Sequence, residues 1–419
     1  MKLTFYSAFQ ADGDAHAYLL NCRNSQLMVL ENKVVNLIQD NKDEIDKLAD
    51  VHPSLYQALV DLGFVVDNNA DEVAQYVAAL ANVGNSEEYF RLILNPTMDC
   101  NLRCWYCYEE HRKGSMMSDE VFESVKKLAE RHIKNPKCKY FNLNFFGGEP
   151  LMAFEQRVWP LIMYCKSLCK QEQVDLLIHF TTNAVLLTPE RVDQMVAEQL
   201  NVSFQVPMDG GASEHDKTKI LPSGKGTYQI VVRNVKYALS KGLGIMLRFN
   251  YTAKNIDSFH QVLQDFEEYA KNEHLNISIQ RIWQETSTDD LRKKERELIK
   301  SVKQNFLSEK RLVGPVKCYA DSENCIIVNY DGRIFKCTAR DFIPDNAEGV
   351  LSAEGFVAMN ERYERRLKQK YQVEECLHCN IWPICHTCTQ HKLEWKNQTN
   401  CSLESKEERL RNYILDLID

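Results

Sequence analysis

The chain has 419 residues, of which 44% are hydrophobic and 26% charged, and its net charge of −8 is typical of a soluble globular protein. This length exceeds what one ordinary hydrophobic core organises, so we expect two or three domains. No run of about 18 apolar residues could span a membrane, and the N-terminus lacks a signal-peptide pattern. We therefore expect a cytoplasmic protein without a membrane partner.

The first 88 residues are predicted to form a small domain of short strands and helices. Two alternating stretches flank a short turn, which predicts a hairpin, and apolar residues at helical spacing follow. A proline begins a second helix and a glycine ends it. The expected elements are strands at 17–22 and 26–31, a helix at 34–38, a helix from Pro53 to Leu62, and a strand at 64–67. This order predicts a winged-helix-like domain at residues 1–88.

The charge of this region limits its possible partners. Residues 1–90 carry 5 lysines and arginines against 14 aspartates and glutamates, which disfavours phosphate backbones, so we expect no nucleic-acid partner. A purely structural cap is one interpretation. In size, placement and element order, the region also resembles the precursor-recognition domain of many peptide-modifying enzymes, where a leader peptide adds as a strand to a sheet edge. That resemblance implies a precursor peptide with a leader segment as partner.

From Arg91 the pattern changes to strand, loop and helix, repeated six times. Expected strands lie at 91–97, 139–146, 177–183, 201–208, 245–252 and 277–283, and expected helices at 118–133, 189–200, 228–241 and 256–272. Six such βα units predict an α/β fold, a partial (β/α)6 TIM barrel at residues 89–285, with its chemistry at the carboxyl ends of the strands.

Cysteine spacing indicates where that chemistry lies. Cys100, Cys104 and Cys107 follow the first predicted strand of the barrel, and three thiols this close can hold three corners of a four-iron four-sulfur cluster. The fourth iron would remain open to an exogenous ligand. A structural zinc site, or three unrelated thiols, is the alternative. Disulfides are uncommon in the expected compartment, and four further cysteines, Cys22, Cys138, Cys165 and Cys169, are expected to be buried structural thiols.

The octapeptide 100–107, with the aromatic Tyr106 before its last cysteine, resembles the CX3CX2C signature of the radical S-adenosylmethionine (radical SAM) enzymes. The resemblance implies that the open iron chelates the amino and carboxylate groups of S-adenosylmethionine. An electron from the cluster would cleave this cofactor to a 5′-deoxyadenosyl radical, which removes a hydrogen atom from the substrate.

Polar motifs follow the next two predicted strands. Gly147-Gly148-Glu149-Pro150 matches the family's GGEP motif, in which glycines let a ligand approach the backbone and a glutamate accepts hydrogen bonds from the methionine ammonium. Thr182 and Asn183 belong to a segment similar to the family's TTNG, with alanine in place of the glycine. They are expected to meet the ribose, and a simple strand-end turn is the alternative.

The fourth and fifth strands add further expected cofactor contacts. Residues 204–210, which contain Gln205, are followed by His215-Asp216 and resemble the family's SLDG…HD stretch, but Pro207 stands where a serine often contacts the cofactor. Lys219 stands where an arginine often meets the cofactor carboxylate, and lysine keeps the charge but loses the bidentate fork. Arg248 is the alternative cation.

A charged linker helix is expected at residues 286–312, and a second field of cysteines at 313–419. Four closely spaced thiols in this field could by themselves form a zinc ribbon, namely Cys376, Cys379, Cys385 and Cys388. The full set of eight would ligate two more four-iron clusters and resembles the SPASM domain of peptide-modifying radical SAM enzymes. The family's crossed pattern implies Cys318, Cys325, Cys337 and Cys388 for one auxiliary cluster and Cys376, Cys379, Cys385 and Cys401 for the other.

One spacing departs from that family pattern. Two residues separate Cys385 from Cys388 where three are usual, which places most uncertainty on Cys388 as a ligand. Because fully ligated clusters cannot bind substrate without losing a thiolate, we expect the auxiliary clusters to transfer electrons. The cofactors implied are S-adenosylmethionine and three four-iron clusters, with an electron donor such as flavodoxin or ferredoxin.

Three functions remain in competition. The first is a radical SAM maturase that installs an intramolecular C–S or C–C crosslink in a ribosomally synthesised peptide. The second is an anaerobic sulfatase-maturing enzyme, which forms formylglycine, and the third is a non-enzymatic iron–sulfur electron carrier or sensor. About ninety residues precede the cysteine motif, and Thr338 stands where sulfatase maturases tend to carry an aspartate. Both features favour the first, whereas a carrier leaves the GGEP motif and the barrel unexplained. Asp341, Glu285 and Tyr330 are candidate bases.

Overall fold

The computed structural model describes residues 1–82, 85–306, 318–385, 388–394, 401 and 405–418. The N-terminal region forms a three-stranded antiparallel sheet, a two-stranded antiparallel sheet and four helices. Its elements are β1 (Lys2–Leu3), β2 (Ser7–Asp12), β3 (His16–Asn21), β4 (Gln26–Glu31), α1 (Asn32–Asp40), α2 (Leu48–Val51), α3 (Pro53–Asp61), β5 (Val65–Val66) and α4 (Glu72–Asn82). The expected hairpin and helices are present, and β2 is a third strand that the sequence analysis did not identify.

Six βα units follow, and they confirm the expected α/β class. The elements are β6 (Tyr89–Leu94), α5 (Asp119–Ile133), β7 (Tyr140–Phe145), α6 (Trp159–Glu172), β8 (Asp175–Thr181), α7 (Pro189–Ala197), β9 (Val202–Met208), α8 (Ala212–Thr218), α9 (Tyr228–Ser240), β10 (Gly244–Tyr251), α10 (Phe259–Asp265), β11 (Leu275–Arg281) and α11 (Asp289–Asn305). Strands β6 to β11 pair in parallel in their sequence order, as a partial barrel requires.

Alternation along these strands separates an apolar face from a polar one. On the apolar face, Phe145, Phe180 and Phe204 stack across β7, β8 and β9 with ring centroids 4.8 and 5.3 Å apart, and the helices cover them. The intervening positions carry amides and other polar groups, such as Asn144 and Gln205. The polar face is therefore the one available for chemistry.

The C-terminal region contributes strands to the same sheet. Its elements are β12 (Cys325–Val328), β13 (Arg333–Phe335), β14 (Gly349–Leu351), β15 (Val357–Met359), α12 (Glu361–Tyr371), α13 (Glu374–Leu377), α14 (Thr389–Glu394) and α15 (Lys406–Ile418). Strand β12 pairs in parallel with β6, and β13, β14 and β15 continue as an antiparallel meander. This addition gives a ten-stranded sheet.

The described residues divide into two compact units. The barrel unit contains residues 87–306 and 323–360, and the other, the terminal unit, contains the described residues of 1–86, 318–322 and 361–418. Helix α11 lies within the expected linker at 286–312, whereas residues 307–317, which include the expected boundary at 312–313, lie outside the described residues. The domain assignments made from the sequence stay predictions. Within the described ranges, every helix is too short or too polar to cross a membrane.

In the terminal unit, residues of the N-terminal region and residues of the C-terminal region share one hydrophobic core. Tyr76 on α4 packs edge-on against Trp382, with ring centroids 5.1 Å apart. Two polar contacts join the same surfaces: the Asn380 side chain donates to the backbone oxygen of Ser7 at 2.8 Å, and the Ser25 and Tyr413 hydroxyls lie 2.6 Å apart. The face of the β2–β4 sheet that carries Leu20 is thus covered by C-terminal residues.

Candidate functional site

The cysteine loop follows the carboxyl end of β6, and local hydrogen bonds shape it. The Leu102 N–H donates to the Cys100 sulfur at 3.4 Å, and the Cys107 N–H donates to the Cys104 carbonyl at 3.1 Å. Burial raises the pKa of Cys100 to about 12 and that of Cys107 to about 11. Because a thiol must lose its proton to bind a metal, metal binding and deprotonation are coupled here.

Gly147 and Gly148 hold this loop against the end of β7. A β-carbon on Gly148 would lie 2.2 Å from the Asp99 carbonyl oxygen, and one on Gly147 would lie 2.6 Å from that of Thr97. Gly147 also has a φ of +96°, which favours glycine. The space that a side chain would occupy is therefore filled by the protein's own loop, rather than being open to a ligand as expected from the sequence. Contact between these glycines and a cofactor stays a prediction.

Glu149 joins the ends of neighbouring strands. Its carboxylate, which is 1% exposed, accepts hydrogen bonds from the Thr182 hydroxyl at 2.7 Å and from the backbone N–H groups of Asn183 and Leu151 at 2.9 and 3.0 Å. Burial raises the pKa of Glu149, and these hydrogen bonds oppose the rise. The structure thus brings together three of the expected site residues, and Glu149 orients the other two.

The segment after β8 reaches the cysteine loop directly. The Asn183 side chain donates to the Asn101 side-chain oxygen at 2.7 Å and lies 3.9 Å from the Cys100 sulfur. The next residue, Ala184, has a φ of +59°, a backbone region in which glycine is unstrained. This conformation gives a physical reason for the glycine usual at that position in the family motif.

Lys219 and Tyr106 form a buried polar network with Asp209 and Asn250. The Lys219 ammonium is 3.0 Å from the Tyr106 hydroxyl, 3.5 Å from the Cys104 sulfur and 3.5 Å from an Asp209 carboxylate oxygen. The Tyr106 hydroxyl donates to Asp209 at 2.8 Å and accepts from the Asn250 amide at 3.2 Å. Burial opposes the lysine charge, but Asp209 and the other partners outweigh burial and raise the pKa of Lys219.

Asp209 and Asn250 were not among the residues selected from the sequence. Asp209 directly follows β9, within the stretch that resembles the family motif. An acidic residue at the end of an apolar strand was the sequence signal that could have identified it. Gln205 and Arg248 lie on β9 and β10. The Arg248 guanidinium donates to the Asn250 side-chain oxygen at 3.1 Å, which links this alternative cation to the network.

Two of the three candidate bases lie against the segment that follows the cysteine loop. An Asp341 carboxylate oxygen accepts from the Glu110 N–H at 2.9 Å, and the Tyr330 hydroxyl accepts from Arg112 at 3.2 Å. Glu285 lies in the turn after β11, where its N–H donates to the Ile282 carbonyl at 3.0 Å. The sequence analysis missed Glu109, whose pKa is raised to about 8 by burial first and by the charge of Asp341 second.

The second cysteine field contributes thiols to both units. In the barrel unit, Cys325 begins β12, and burial raises its pKa to about 11 while the charges of Lys336 and Arg91 oppose the rise. In the terminal unit, the Lys392 ammonium donates to the Cys376 sulfur at 2.9 Å, and the His391 N–H donates to the Cys388 sulfur at 3.3 Å. The remaining expected ligands are Cys337 in the barrel unit and Cys318, Cys379, Cys385 and Cys401 in the terminal unit.

The donor set of the cysteine loop fits a four-iron cluster. Three thiols on one loop match three corners of such a cluster, each bound through a different iron. Across the described residues, no three His, Cys, Asp or Glu side chains are placed to hold one metal ion together. A cluster does not require that convergence, because its ligands attach to separate irons.

Comparison with known proteins identifies the barrel. Residues 94–271 match the model of the radical SAM superfamily. The chain is 25% identical over 294 residues to a probable GTP 3′,8-cyclase of Methanococcus maripaludis, covering 64% of this chain and 90% of that protein. It is 20% identical over 361 residues to the radical SAM cyclopropyl synthase TigE of Paramaledivibacter caminithermalis, covering 77% of this chain and 73% of TigE.

Two solved structures share the fold. One is anSMEcpe with bound AdoMet, with a TM-score of 0.59 at 18% identity, covering 78% of this chain and 96% of that one. The other is Streptococcus suis SuiB bound to its precursor peptide SuiA, with a TM-score of 0.52 at 15% identity, covering 96% of this chain and 100% of SuiB. The sequence match covers the cysteine loop and most of the six parallel βα units, and it identifies residues 94–271 of this chain as a radical SAM domain.

Proposed function

We propose that this chain is a radical SAM peptide maturase, which installs an intramolecular C–S or C–C crosslink in a ribosomally synthesised precursor peptide. The observation that carries the proposal is the loop of Cys100, Cys104 and Cys107 packed against Gly148 and Asn183 at the carboxyl ends of β6, β7 and β8. When bound, a four-iron cluster on these thiolates supplies the open iron and the electron with which S-adenosylmethionine is cleaved to a 5′-deoxyadenosyl radical.

In this proposal, the chain's own residues bind the cofactor and orient it. Glu149 positions Thr182 and Asn183, which we assign to the cofactor ribose, and its carboxylate is the proposed acceptor for the methionine ammonium. Gln205 and Arg248 lie on the polar face of the sheet, where Arg248 offers a guanidinium to a carboxylate. The helices cover the apolar face, so the reaction is confined to the polar face of the sheet.

A peptide substrate is supported by the fold comparison and by the N-terminal region. SuiB, which shares the fold over 96% of this chain, was solved with its precursor peptide SuiA. In our proposal, residues 1–88 bind the leader of a precursor by strand addition to a sheet edge. The sheet β2–β4 has two edge strands, and β4 is one of them.

We assign electron transfer to two auxiliary clusters, and an external flavodoxin or ferredoxin as the donor to the first cluster. The proposed ligands of the second auxiliary cluster, Cys376, Cys379, Cys385 and Cys401, all belong to the terminal unit. Those proposed for the first are Cys318, Cys325, Cys337 and Cys388. Asp341, Tyr330 and Glu285 stay the candidate bases of the reaction.

Sulfatase maturation is the second candidate. It is favoured by the similarity to anSMEcpe, which has also been solved with AdoMet and a Cp18Cys peptide. Against it stands Thr338, which occupies the place of the expected aspartate and whose backbone oxygen accepts a hydrogen bond from the Tyr108 hydroxyl. An electron carrier without enzymatic activity is disfavoured by the radical SAM match over residues 94–271.

Replacement of Cys100, Cys104 and Cys107 together by alanine tests the site. The anaerobically reconstituted wild type should be brown and release 5′-deoxyadenosine from S-adenosylmethionine, and the triple variant should release none above background because the open iron is lost. Chromatographic assay of deoxyadenosine measures this result. The matched control is Cys138→Ala and Cys169→Ala, two buried core thiols, which should keep the release. Undiminished release from the triple variant would rule out this loop as the cofactor site.

The substrate is tested separately with synthetic precursor peptides. We expect a leader-bearing peptide to lose two hydrogen atoms, with tandem mass spectrometry locating a bond between two side chains or between a side chain and an α-carbon. The same peptide without its leader should react far more slowly. Formation of an aldehyde that reacts with a hydrazide probe would instead support the sulfatase-maturing alternative.

A further inference from the structure

We propose that Lys219 is a positioning residue of the iron–sulfur cluster, which sets the cluster's reduction potential through Cys104, and that it does not bind the cofactor carboxylate. The inference rests on the proposed function, because it requires a cluster on the cysteine loop. It replaces the role expected from the family motif, where an arginine stands at this position. Three observations carry it: the partners of the ammonium, the rigidity of the backbone beneath it, and its burial.

The ammonium has three N–H donors, and three protein groups surround it. These are the Cys104 sulfur at 3.5 Å, the Tyr106 hydroxyl at 3.0 Å and the Asp209 carboxylate at 3.5 Å. An external carboxylate would have to displace one of them. The structure therefore directs the charge of Lys219 toward the cysteine loop and Asp209 rather than toward an open binding position.

The backbone of Lys219 is held as firmly as its side chain. Its N–H donates to the His215 carbonyl at 2.8 Å, and its own carbonyl accepts from the Thr227 hydroxyl at 2.6 Å. His215 in turn lies 3.3 Å from the same hydroxyl, through its Nε2 atom. These backbone hydrogen bonds fix the point from which the Lys219 side chain reaches Cys104.

Burial makes this contact electrostatically strong. The side chain of Lys219 is 4% exposed and that of Asp209 is 1% exposed, so water screens their charges little. A cluster gains negative charge when it is reduced, and a nearby cation or a hydrogen bond to a ligand sulfur stabilises that form. Lys219 should consequently raise the reduction potential and make the cluster easier to reduce.

The test compares Lys219→Met, Lys219→Gln and Lys219→Arg with the wild type, without S-adenosylmethionine, so that cofactor binding does not enter. Redox titration followed by electron paramagnetic resonance gives the midpoint potential, and iron analysis gives the cluster content. We expect Lys219→Met to lower the equilibrium constant for reduction about tenfold, which is about 59 mV toward negative potential for one electron. Lys219→Arg, which keeps the charge, should restore most of the difference.

Lys217 is the matched control, since it lies two residues away and is exposed, paired only with Glu214 on the same helix at 2.6 Å among the contacts described. Lys217→Met should keep the wild-type potential. If Lys219→Met fails to fold, Lys219→Gln, which keeps a polar donor without the charge, answers the same question. An unchanged potential in the charge-removing variants overturns the proposal, whether or not their affinity for S-adenosylmethionine falls. A wild type without a redox-active cluster on this loop would instead refute the proposed function.

Discussion

Three buried histidines contribute to the way the stability of this fold depends on pH. His132, His179 and His215 each have a pKa lowered by burial, to about 4, 4 and 3 respectively. In the folded chain they stay neutral over a range in which unfolded histidines, with a pKa of about 6.5, already bind protons. At these three histidines the unfolded state therefore binds more protons than the folded state between about pH 6.5 and 4, so their contribution to stability rises with pH across that range.

We predict that each of these histidines contributes a fall in the free energy of unfolding of up to about 1.4 kcal/mol per pH unit as the pH is lowered from 6.5 to 5. His132 is the most convenient probe because its ring stacks on Phe90, with centroids 3.4 Å apart and away from the cysteine loop. His132→Phe keeps a stacked ring but cannot titrate, so its pH dependence should be shallower. Urea unfolding at pH 7, 6 and 5 measures both slopes, and equal slopes would contradict the assignment.

The sequence could identify site residues that lie in short motifs, but not residues whose partners are distant along the chain. The three cysteines and Glu149 belong to short motifs, so their spacing was sufficient. Asp209 and Asn250 became visible only in three dimensions, because Tyr106 contacts both from more than a hundred residues away. Lys219 was selected from the motif, and the structure places it beside the Cys104 sulfur, but its partners could not be read from the sequence.

At the scale of elements, the close approach of two loops builds the site. The turn after β7 lies so near residues 97–99 that only glycine fits, and the Glu149 N–H donates to the Asp99 carbonyl at 2.8 Å. A β-carbon on Gly148 would force the backbone of the cysteine loop to move, since a carbonyl group cannot rotate away as a flexible side chain can.

Gly148→Ala should therefore destabilise the protein by several kcal/mol, as overpacking does, and lower the iron content per chain. Gly244→Ala is the control, because a β-carbon there meets its nearest neighbour, on Ser203, at 3.4 Å, an ordinary contact distance. Thermal unfolding and iron analysis of both variants measure the effect. Normal iron loading in Gly148→Ala would show that the loop can retreat without harm to the cluster.

The elements themselves were predictable where the hydrophobic pattern is strong. Strands β7 to β11 begin and end within about two residues of the expected bounds, because their apolar and polar residues alternate. The helix expected at 256–272 is shorter, with α10 flanked by two 3-10 turns. The pairing of β12 with β6 could not be foreseen, since it joins Cys325 to Arg91 across more than two hundred residues.

At the scale of the whole molecule, the terminal unit depends on contacts between distant parts of the sequence. Tyr76 and Trp382 belong to regions separated by the entire barrel in sequence, and their rings meet edge to face. The same core contains Cys379, one of the proposed ligands of the second auxiliary cluster. Loss of this packing should therefore affect both the stability of the N-terminal region and the iron content.

We predict that Trp382→Ala destabilises the terminal unit by about 3–5 kcal/mol and lowers the iron content. Tyr76→Ala should show a related loss, and the double variant should lose less than the sum, with a coupling of about 0.5–1.5 kcal/mol for the ring pair. Chemical unfolding of the four proteins measures the cycle. Val51→Ala, at a side chain that is 68% exposed, is the control. Strict additivity would mean that the two rings are energetically independent.

The shared core has a consequence for how this protein is made. The sheet of β2, β3 and β4 presents Leu20 on a face that is covered by Tyr76 and Leu80 of α4 and by residues near 380 and 414. During synthesis the ribosome must add some three hundred residues after α4 before the C-terminal part of this cover can form, so that part of the face stays open to water or to chaperones in the interval. An excised fragment of residues 1–82 would expose the apolar surface that the C-terminal residues cover in the full chain, and it should self-associate.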